Sequence, residues 1–312
     1  MSLNILSIQS WVAYGHVGNA SAMFPLQRLG AEVWGVHTVQ FSNHTGYGAW
    51  RGQVFGADLV RECVAGIADR GMLPHCDAVL SGYLGSAEIG AAVRDAALAV
   101  KAANPKALWC CDPVMGDTGR GMFVRPGIPE FLRDEALPAA DIATPNQFEL
   151  EWLTGQTITS LDQAKAAITA LQGKGPRIVL LTSLRTEATG ADEIELLAAE
   201  GGGFWRLRTP MLPLSVNGAG DAIAALFLFH RLKSGAAAAA LEAAVQAVIA
   251  DCRQGAPQAL AETKKLIAAL GPLSPDGYAE AGALAFARCA SGPEAREGIA
   301  AFKEKRPPAW AS

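Results

Sequence analysis

Residues 217–221, with the sequence NGAGD, place three small residues and one acid directly before an apolar run. At the start of a helix the backbone amides of Gly218, Ala219 and Gly220 would be unpaired, and free amides together with the helix dipole favour an anion. Asp221 in the first turn could simply complement that dipole. Alternatively, it could be a general base that takes a proton from a substrate hydroxyl while the amides stabilise a transferring phosphoryl group.

Two further acids follow predicted strands and could bind a metal ion. Asp112 lies at a strand end, before the Gly-rich loop of 113–121. One such carboxylate suffices for a hydrated Mg²⁺ whose other ligands are water and phosphate oxygens. Glu149 lies three residues after Asn146, which is the spacing of a helix capping box. Asp112 is therefore a turn former or a metal ligand, and Glu149 is a helix cap or the holder of a metal-bound water.

Two glycine-containing segments follow the first two predicted strands. In QSWVAYGHVGN, Ser10 and the glycines predict a polar-lined loop that leads into a helix. In QFSNHTGYG, His44 and Thr45 beside Gly46 could form hydrogen bonds to a small polar ligand. Plain strand–helix connections and turns have the same composition, so neither segment decides between the two interpretations.

Several other kinds of site are not supported. A GxxxxGK[ST] phosphate loop is absent, and no GxGxxG follows a predicted strand, so neither P-loop nor Rossmann chemistry is expected. The six cysteines form no CxxC pair, and the five histidines show no metal-binding spacing. We therefore expect free thiols rather than disulfides, and no transition-metal site.

An alternation of strands and helices must position these residues. Strands are predicted over 3–8, 33–39, 78–80, 107–111, 142–143 and 178–181, and helices over 20–29, 58–70, 87–102 and 161–171. This alternation predicts an α/β fold with a mainly parallel sheet and helices on both faces, with sites beyond the carboxyl ends of the strands. Residues 191–209 predict a β-hairpin late in the sheet.

The overall composition limits the partners. The chain has 312 residues, half of them hydrophobic, and a net charge of −4. That charge gives no reason to expect a nucleic acid or an anionic membrane as a partner. The N-terminus predicts a buried strand rather than a signal peptide, and the Ala-rich segment 235–250 is too short to span a bilayer. We therefore expect a soluble, cytoplasmic protein.

In this order the motifs resemble the pyridoxal kinases of the ribokinase-like superfamily. The matching segments are LSIQSWVAYGHVGN, TVQFSNHTGYG, DAVLSGYLGSAE, WCCDPVMGD, TPNQFELEWLTG and NGAGDAIAALF. The resemblance covers about residues 3–245, so we predict a kinase domain over 1–245 with a three-layer α/β/α sandwich. It implies ATP-dependent phosphorylation of the 5′-hydroxyl of pyridoxal and related B6 vitamers, a vitamin B6 salvage reaction.

The resemblance also implies a role for each site residue. Asp221 would be the base, and the amides of Gly218, Ala219 and Gly220 the anion hole. The implied vitamer contacts are Ser10, Thr45, Gly46 and Tyr83. Asp112 and Glu149 would organise Mg²⁺ and phosphates, and the remaining ATP contacts would be Thr144, Asn146, Thr182, Thr209, Pro210, Met211 and Leu212. A monovalent ion such as K⁺ and a homodimer are further implications. Some relatives carry a reactive cysteine in the loop where this chain has Met122, so no covalent hemithioacetal is expected there.

Residues 246–312 depart from the kinase pattern. APQALAETKKLI, SGPEAREGIAAF and KEKRPPAW resemble the C-terminal helices of the crotonase family, whose catalytic body this chain lacks. We therefore predict a second, helical tail and no hydratase activity. In kinase relatives this region helps to enclose adenine, so we expect pyridoxal binding to be retained better than ATP binding. A kinase for hydroxymethylpyrimidine and a vitamer-binding protein with impaired kinase activity remain alternatives.

Overall fold

The computed structural model describes residues 2–211, 217–254, 275–306 and 308–311. The chain divides into two compact units, Met1–Ala244 and Val245–Ser312. The first unit contains the sheet and all the predicted site residues, with Leu212 outside the described residues. Each unit is described by itself.

The strands of the first unit form a mainly parallel sheet. They are β1 (Asn4–Tyr14), β2 (Glu32–Asn43), β3 (Gly52–Val54), β4 (Ala78–Ser81), β5 (Leu108–Cys111), β6 (Gly116–Asp117), β7 (Gly121–Met122), β8 (Ile142–Ala143), β9 (Ile178–Leu184), β10 (Glu193–Glu200) and β11 (Gly203–Pro210). Among the described residues, nine of these form one sheet in the order β11-β10-β9-β8-β5-β4-β1-β2-β3, while β6 and β7 pair separately. In the order of the sheet, every neighbouring pair from β9 to β2 is parallel. The pairs β2–β3, β9–β10 and β10–β11 are antiparallel. The predicted α/β fold with a mainly parallel sheet is confirmed.

Helices cover both faces of this sheet. The helices of the first unit are α1 (Asn19–Arg28), α2 (Ala57–Asp69), α3 (Ala87–Ala103), α4 (Ile128–Phe131), α5 (Leu137–Ala139), α6 (Gln147–Thr154), α7 (Leu161–Gln172) and α8 (Ala219–Ser234). Helix α9 (Ala237–Gln254) begins in this unit and ends in the second. Crossovers between parallel strands are right-handed. Since β2 and β4 lie on opposite sides of β1, the crossovers through α1 and α2 lie on opposite faces. Helix α8 packs against α1, and α3 packs against α2.

Two predicted elements are longer in the structure than in the sequence prediction. Strand β1 continues past Ile8 to Tyr14, and β2 continues to Asn43, because their parallel pairing resumes after an irregularity between Gln9 and Trp11. Ser10 therefore lies in a strand and not in the predicted loop, which is a correction. The pairing of Trp11, Val12 and Tyr14 with β2 extends the strand across the polar residues that indicated a loop. The predicted hairpin at 191–209 is confirmed as β10 and β11.

The second unit is helical where the structure describes it. It holds the end of α9 and two further helices, Pro275–Ser291 and Pro293–Glu304. These two further helices contact each other. After the last helix the chain folds back, and the Glu297 carboxylate accepts hydrogen bonds from the Arg306 guanidinium at 2.6 Å and the Ala309 amide at 2.8 Å. Among the described residues no helix combines the length and the apolar character needed to cross a membrane.

Candidate active site

A cavity of about 300 Å³ lies in the first unit, beyond the carboxyl ends of the parallel strands. Its volume is that of a small-molecule pocket. Most of its walls are aliphatic or aromatic, and a few polar groups converge on it. The lining residues are Ser10, Val12, Val17, Phe41, His44, Thr45, Trp50, Val54, Tyr83, Val114, Phe123, Arg125, Gly218 and Asp221.

The structure brings the predicted vitamer-binding residues together at this cavity. Ser10, Thr45 and Tyr83 line it, although they come from three separate parts of the sequence. Gly46 lies beside it, with its amide donating to Nδ1 of His44 at 3.1 Å. That hydrogen bond leaves the proton of a neutral His44 ring on Nε2, and burial followed by the charge of Arg120 lowers the pKa of His44.

Several wall residues were not predicted as site residues from the sequence. Phe41 and Trp50 pack against each other, with ring centroids 4.1 Å apart, and form one aromatic part of the wall. Phe123 and Arg125 come from the segment after β7. A lone aromatic residue near a strand end indicates core packing as readily as a ligand wall, so no sequence signal would have identified Phe41. Arg125, a cation next to a Gly-rich loop, was the one recognisable signal.

The start of α8 has the geometry of an anion-binding loop. Gly218 precedes the helix with φ 87°, and a Cβ atom there would lie 1.9 Å from the His16 carbonyl oxygen. Only glycine fits such a left-handed position against another backbone. In the part of the chain that the structure describes, the Ala219 and Gly220 amides donate to no acceptor. These two adjacent amides, which lie between the cavity-lining Gly218 and Asp221, are therefore available to a negatively charged group as far as the described residues show.

The Asp221 carboxylate faces the cavity beside these amides. Burial raises the pKa of Asp221 to about 6, while hydrogen bonds from the Gly18 amide and from its own amide act in the opposite direction. Gly18 can approach because it is a glycine, since a Cβ atom there would lie 2.4 Å from both the carbonyl and hydroxyl oxygens of Ser10. A carboxyl group with this pKa is largely ionised at neutral pH and can still accept a proton, as a general base must.

Asp112 and Glu149 lie close together behind the loop that follows β5. Oδ1 of Asp112 accepts a hydrogen bond from the Thr144 hydroxyl at 3.1 Å. Burial, then repulsion by Glu149 and Asp221, holds the pKa of Asp112 well above its usual range. Burial likewise raises the pKa of Glu149 to about 8. The site therefore concentrates carboxyl groups at one place.

Glu149 has a structural role whatever else it does. Its Oε2 accepts from the Asn146 amide at 2.8 Å, and its Oε1 accepts from the Met115 amide at 3.0 Å. The Asn146 side chain in turn accepts from the Glu149 amide at 2.9 Å, so the capping box predicted from the spacing is confirmed. Because both carboxylate oxygens are engaged, Glu149 is better suited to orienting a metal-bound water than to direct coordination.

These residues fit a magnesium ion that is held only partly by protein. A divalent cation would relieve the repulsion that raises the pKa of Asp112. Within the described residues no group of three or more His, Cys, Asp and Glu side chains could hold a metal ion. Mg²⁺ typically keeps several waters and takes one or two carboxylates plus substrate phosphates. Asp112 would supply the direct carboxylate, with Glu149 behind it.

The predicted ATP contacts fall in two places. Thr144, Asn146 and Thr182 lie together, since Asn146 forms a β-bridge with Thr182 and donates from its side chain to the Gly116 carbonyl at 2.8 Å. Thr209 and Pro210 end the edge strand β11, and Met211 follows it. This strand is two strands away from Thr182 on β9, or about 10 Å at the usual spacing. Leu212 falls outside the described residues.

One further residue beside Thr182 was not predicted. Ser183 has φ 55°, one of two described non-glycine residues with a left-handed backbone. Such a conformation is costly and concentrates at functional sites. Ser183 lies within β9, where the pairing with β10 shifts register, so the residue type gave no signal for its conformation.

Comparisons with known proteins agree with this geometry. The family model described as phosphomethylpyrimidine kinase matches residues 53–262. A pyridoxal kinase PdxY of Granulibacter bethesdensis is 64% identical over 250 residues, or 79% of this chain and 87% of the relative. A PdxY of Deinococcus radiodurans is 60% identical over 253 residues, or 79% of this chain and 85% of the relative.

Solved structures of similar proteins include two kinds of kinase. The pyridoxal kinase of Leishmania donovani, in complex with ADP and pyridoxamine, is 29% identical with a TM-score of 0.72 and covers 78% of this chain and 86% of its own. A putative phosphomethylpyrimidine kinase of Bacteroides thetaiotaomicron is 26% identical with a TM-score of 0.69 and covers 78% of this chain and 84% of its own.

Proposed function

Because this chain belongs to the phosphomethylpyrimidine kinase family and within it to the pyridoxal kinases, we propose that it is an ATP-dependent kinase of the B6 vitamer pyridoxal. The reaction transfers the γ-phosphoryl group of ATP to the 5′-hydroxyl of pyridoxal. The observation that supports this assignment best is the position of Asp221. It faces the same cavity as Ser10, Thr45 and Tyr83 and stands beside two amides that have no acceptor in the described structure.

The residues of the cavity suit each step of this reaction. Asp221 takes the proton of the 5′-hydroxyl as that oxygen forms its bond to the γ-phosphorus and the bond to ADP breaks. The Ala219 and Gly220 amides stabilise the charge on the transferred group. The Gly18 amide favours the ionised form of this carboxylate. After transfer, Asp221 returns the proton to water.

The vitamer fits the walls of the cavity by its chemistry. A pyridine ring requires flat, apolar contacts, and Phe41 and Trp50 provide them. The hydroxyls of Ser10 and Thr45 can pair with the polar substituents of the ring, and Nε2–H of His44 is a further donor. When bound with the nucleotide, Mg²⁺ would offset phosphate charge beside Asp112.

A substrate comparison tests the assignment. ADP release by the wild-type protein should depend on added pyridoxal, pyridoxine or pyridoxamine, and the phosphorylated vitamer should accumulate in equal amount. Hydroxymethylpyrimidine is the competing substrate, because the same catalytic parts serve both kinase activities and one structural relative is described as a phosphomethylpyrimidine kinase. A kcat/KM that is higher for hydroxymethylpyrimidine than for every B6 vitamer would assign the chain to that second activity.

The acid limb of the pH profile should report Asp221. A base must be deprotonated, and burial raises the pKa of Asp221 to about 6, so kcat/KM should fall about tenfold per pH unit below that value. The measurement is kcat/KM from pH 4.5 to 8 for pyridoxal and for pyridoxine, whose own titrations differ. An acid limb that moves with the vitamer instead of staying common to both would assign it to the substrate.

A second candidate, a vitamer-binding protein with impaired kinase activity, follows from the tail. The match to the Granulibacter relative covers 79% of this chain. The sequence prediction for residues 246–312 is a tail that departs from the kinase pattern. Compared with the bacterial relatives, we expect this chain to keep more of its affinity for pyridoxal than of its affinity for ATP. Calorimetric titration of each ligand into the full chain and into the Granulibacter enzyme measures this. Tight ATP binding without pyridoxal binding would contradict it.

Other inferences from the sequence stay predictions. They are the homodimer, the cytoplasmic location, the use of K⁺, the division into a kinase domain and a foreign tail, and the crotonase likeness of that tail. Gel filtration of the full chain tests the first of them directly.

A further inference from the structure

The first turn of α1 contacts residues 217–221, the catalytic loop of the proposed mechanism, through a side chain that this mechanism does not use. The Ser21 hydroxyl donates to the Gly218 carbonyl at 2.8 Å, across 197 positions of sequence. Ser21 is held in place by the hydrogen bond from its own amide to the Gly18 carbonyl at 3.0 Å. The first turn of α1 is therefore joined to the start of α8 at Gly218 through Ser21.

The contact at Gly218 controls the direction of a catalytic amide. The carbonyl of Gly218 and the N–H of Ala219 belong to one planar, trans peptide unit, so fixing one fixes the other. Glycine itself restrains this unit little, because its backbone is the most permissive of all residues. Apart from Ser21, the described donor to the Gly218 carbonyl is the Ala222 amide at 3.0 Å, which is part of the helix.

We infer that Ser21 is a positioning residue that aims the Ala219 amide at the phosphoryl group during transfer. The inference rests on the proposed function, which gives that amide its role. Ser21 does not line the cavity, so its effect should be seen in the transition state and not in vitamer binding. Its hydroxyl acts only through the Gly218 peptide.

The direct test is Ser21→Ala, with Ser21→Thr as the variant that keeps a hydroxyl. Loss of one hydrogen bond predicts a fall in kcat of about fivefold, with KM for pyridoxal within about twofold of wild type. Ser21→Thr should recover most of the lost kcat. ADP with aluminium fluoride and pyridoxal mimics the transferring phosphoryl group, so Ser21→Ala should weaken binding of that mixture about fivefold and leave binding of ADP alone unchanged.

Ser160→Ala is a matched control for stability. Ser160 caps α7 by accepting from the Gln163 amide at 3.3 Å, and it is not among the residues lining the cavity. Its loss should lower the melting temperature without changing kcat. If Ser21→Ala behaves like Ser160→Ala, with wild-type kcat and aluminium fluoride affinity, the inference is overturned.

Asp221→Asn separates this inference from the proposed function. If Asp221→Asn abolishes turnover while Ser21→Ala does not change kcat, only the role of Ser21 is wrong. If both variants turn over like the wild type, the proposed base and its loop are wrong, and the role of Ser21 is overturned with them.

Discussion

Replacing Asp221 by Asn should lower kcat for pyridoxal by about 10² to 10⁴-fold, the usual loss when a general base is removed. Asn keeps the shape of the side chain but cannot take the proton of the 5′-hydroxyl. The carboxylate occupies only one part of the cavity wall, so pyridoxal binding should change much less than turnover. The measurements are coupled ADP release and a pyridoxal titration on the same preparation, and Asp221→Ala should show the same loss.

The structure offers a matched control for the alternative interpretation of Asp221. Asp162 is also an acid in the first turn of a helix, α7, but it is exposed and pairs with Lys165. If Asp221 only complemented the helix dipole, Asp221→Asn and Asp162→Asn would each cost about 0.3–1 kcal/mol of stability and leave turnover intact. Equal turnover in wild type and Asp221→Asn would therefore refute the kinase mechanism.

Among substitutions that add a single methyl group to the catalytic loop, Gly218→Ala should lower kcat the most. The added Cβ would lie 1.9 Å from the His16 carbonyl oxygen, and φ 87° is unfavourable for alanine. Relief requires the loop before α1 and the start of α8 to separate, which misaligns the Ala219 and Gly220 amides. Loss of such preorganised donors typically costs about 10² to 10³-fold in kcat.

Gly235→Ala, at the other end of the same helix, separates the effect of the unfavourable backbone angle from that of the clash with His16. Gly235 also has a left-handed backbone, with φ 75°, but a Cβ atom there would meet no atom within 4 Å. It should cost about 1–2 kcal/mol in free energy of unfolding and leave kcat at the wild-type value. Thermal unfolding and ADP release on both variants measure this. Loss of activity in Gly235→Ala, or none in Gly218→Ala, would contradict the proposed anion hole.

The sequence predicted the local elements well because their causes are local. Asn146 and Glu149 are three residues apart, and the capping box forms within one helical turn. The Gly218–Asp221 segment likewise forms its helix start from its own residue types, small and flexible before an apolar run. The extent of β1 was underestimated, because the pairing of Trp11 with Gln40 on β2 depends on a neighbouring strand.

The sequence by itself determined which chemical groups are present and in which order, including a carboxylate and free amides at one helix start. Only the tertiary structure decided which distant groups stand beside them. The Ser21 hydroxyl reaches the Gly218 carbonyl because α1 packs against α8. Capping and periodicity are properties of adjacent residues, whereas a contact across 197 positions depends on strand order and crossover handedness. For this reason the sequence could single out Asp221 as the proposed base, whereas only the fold places Ser21 beside Gly218.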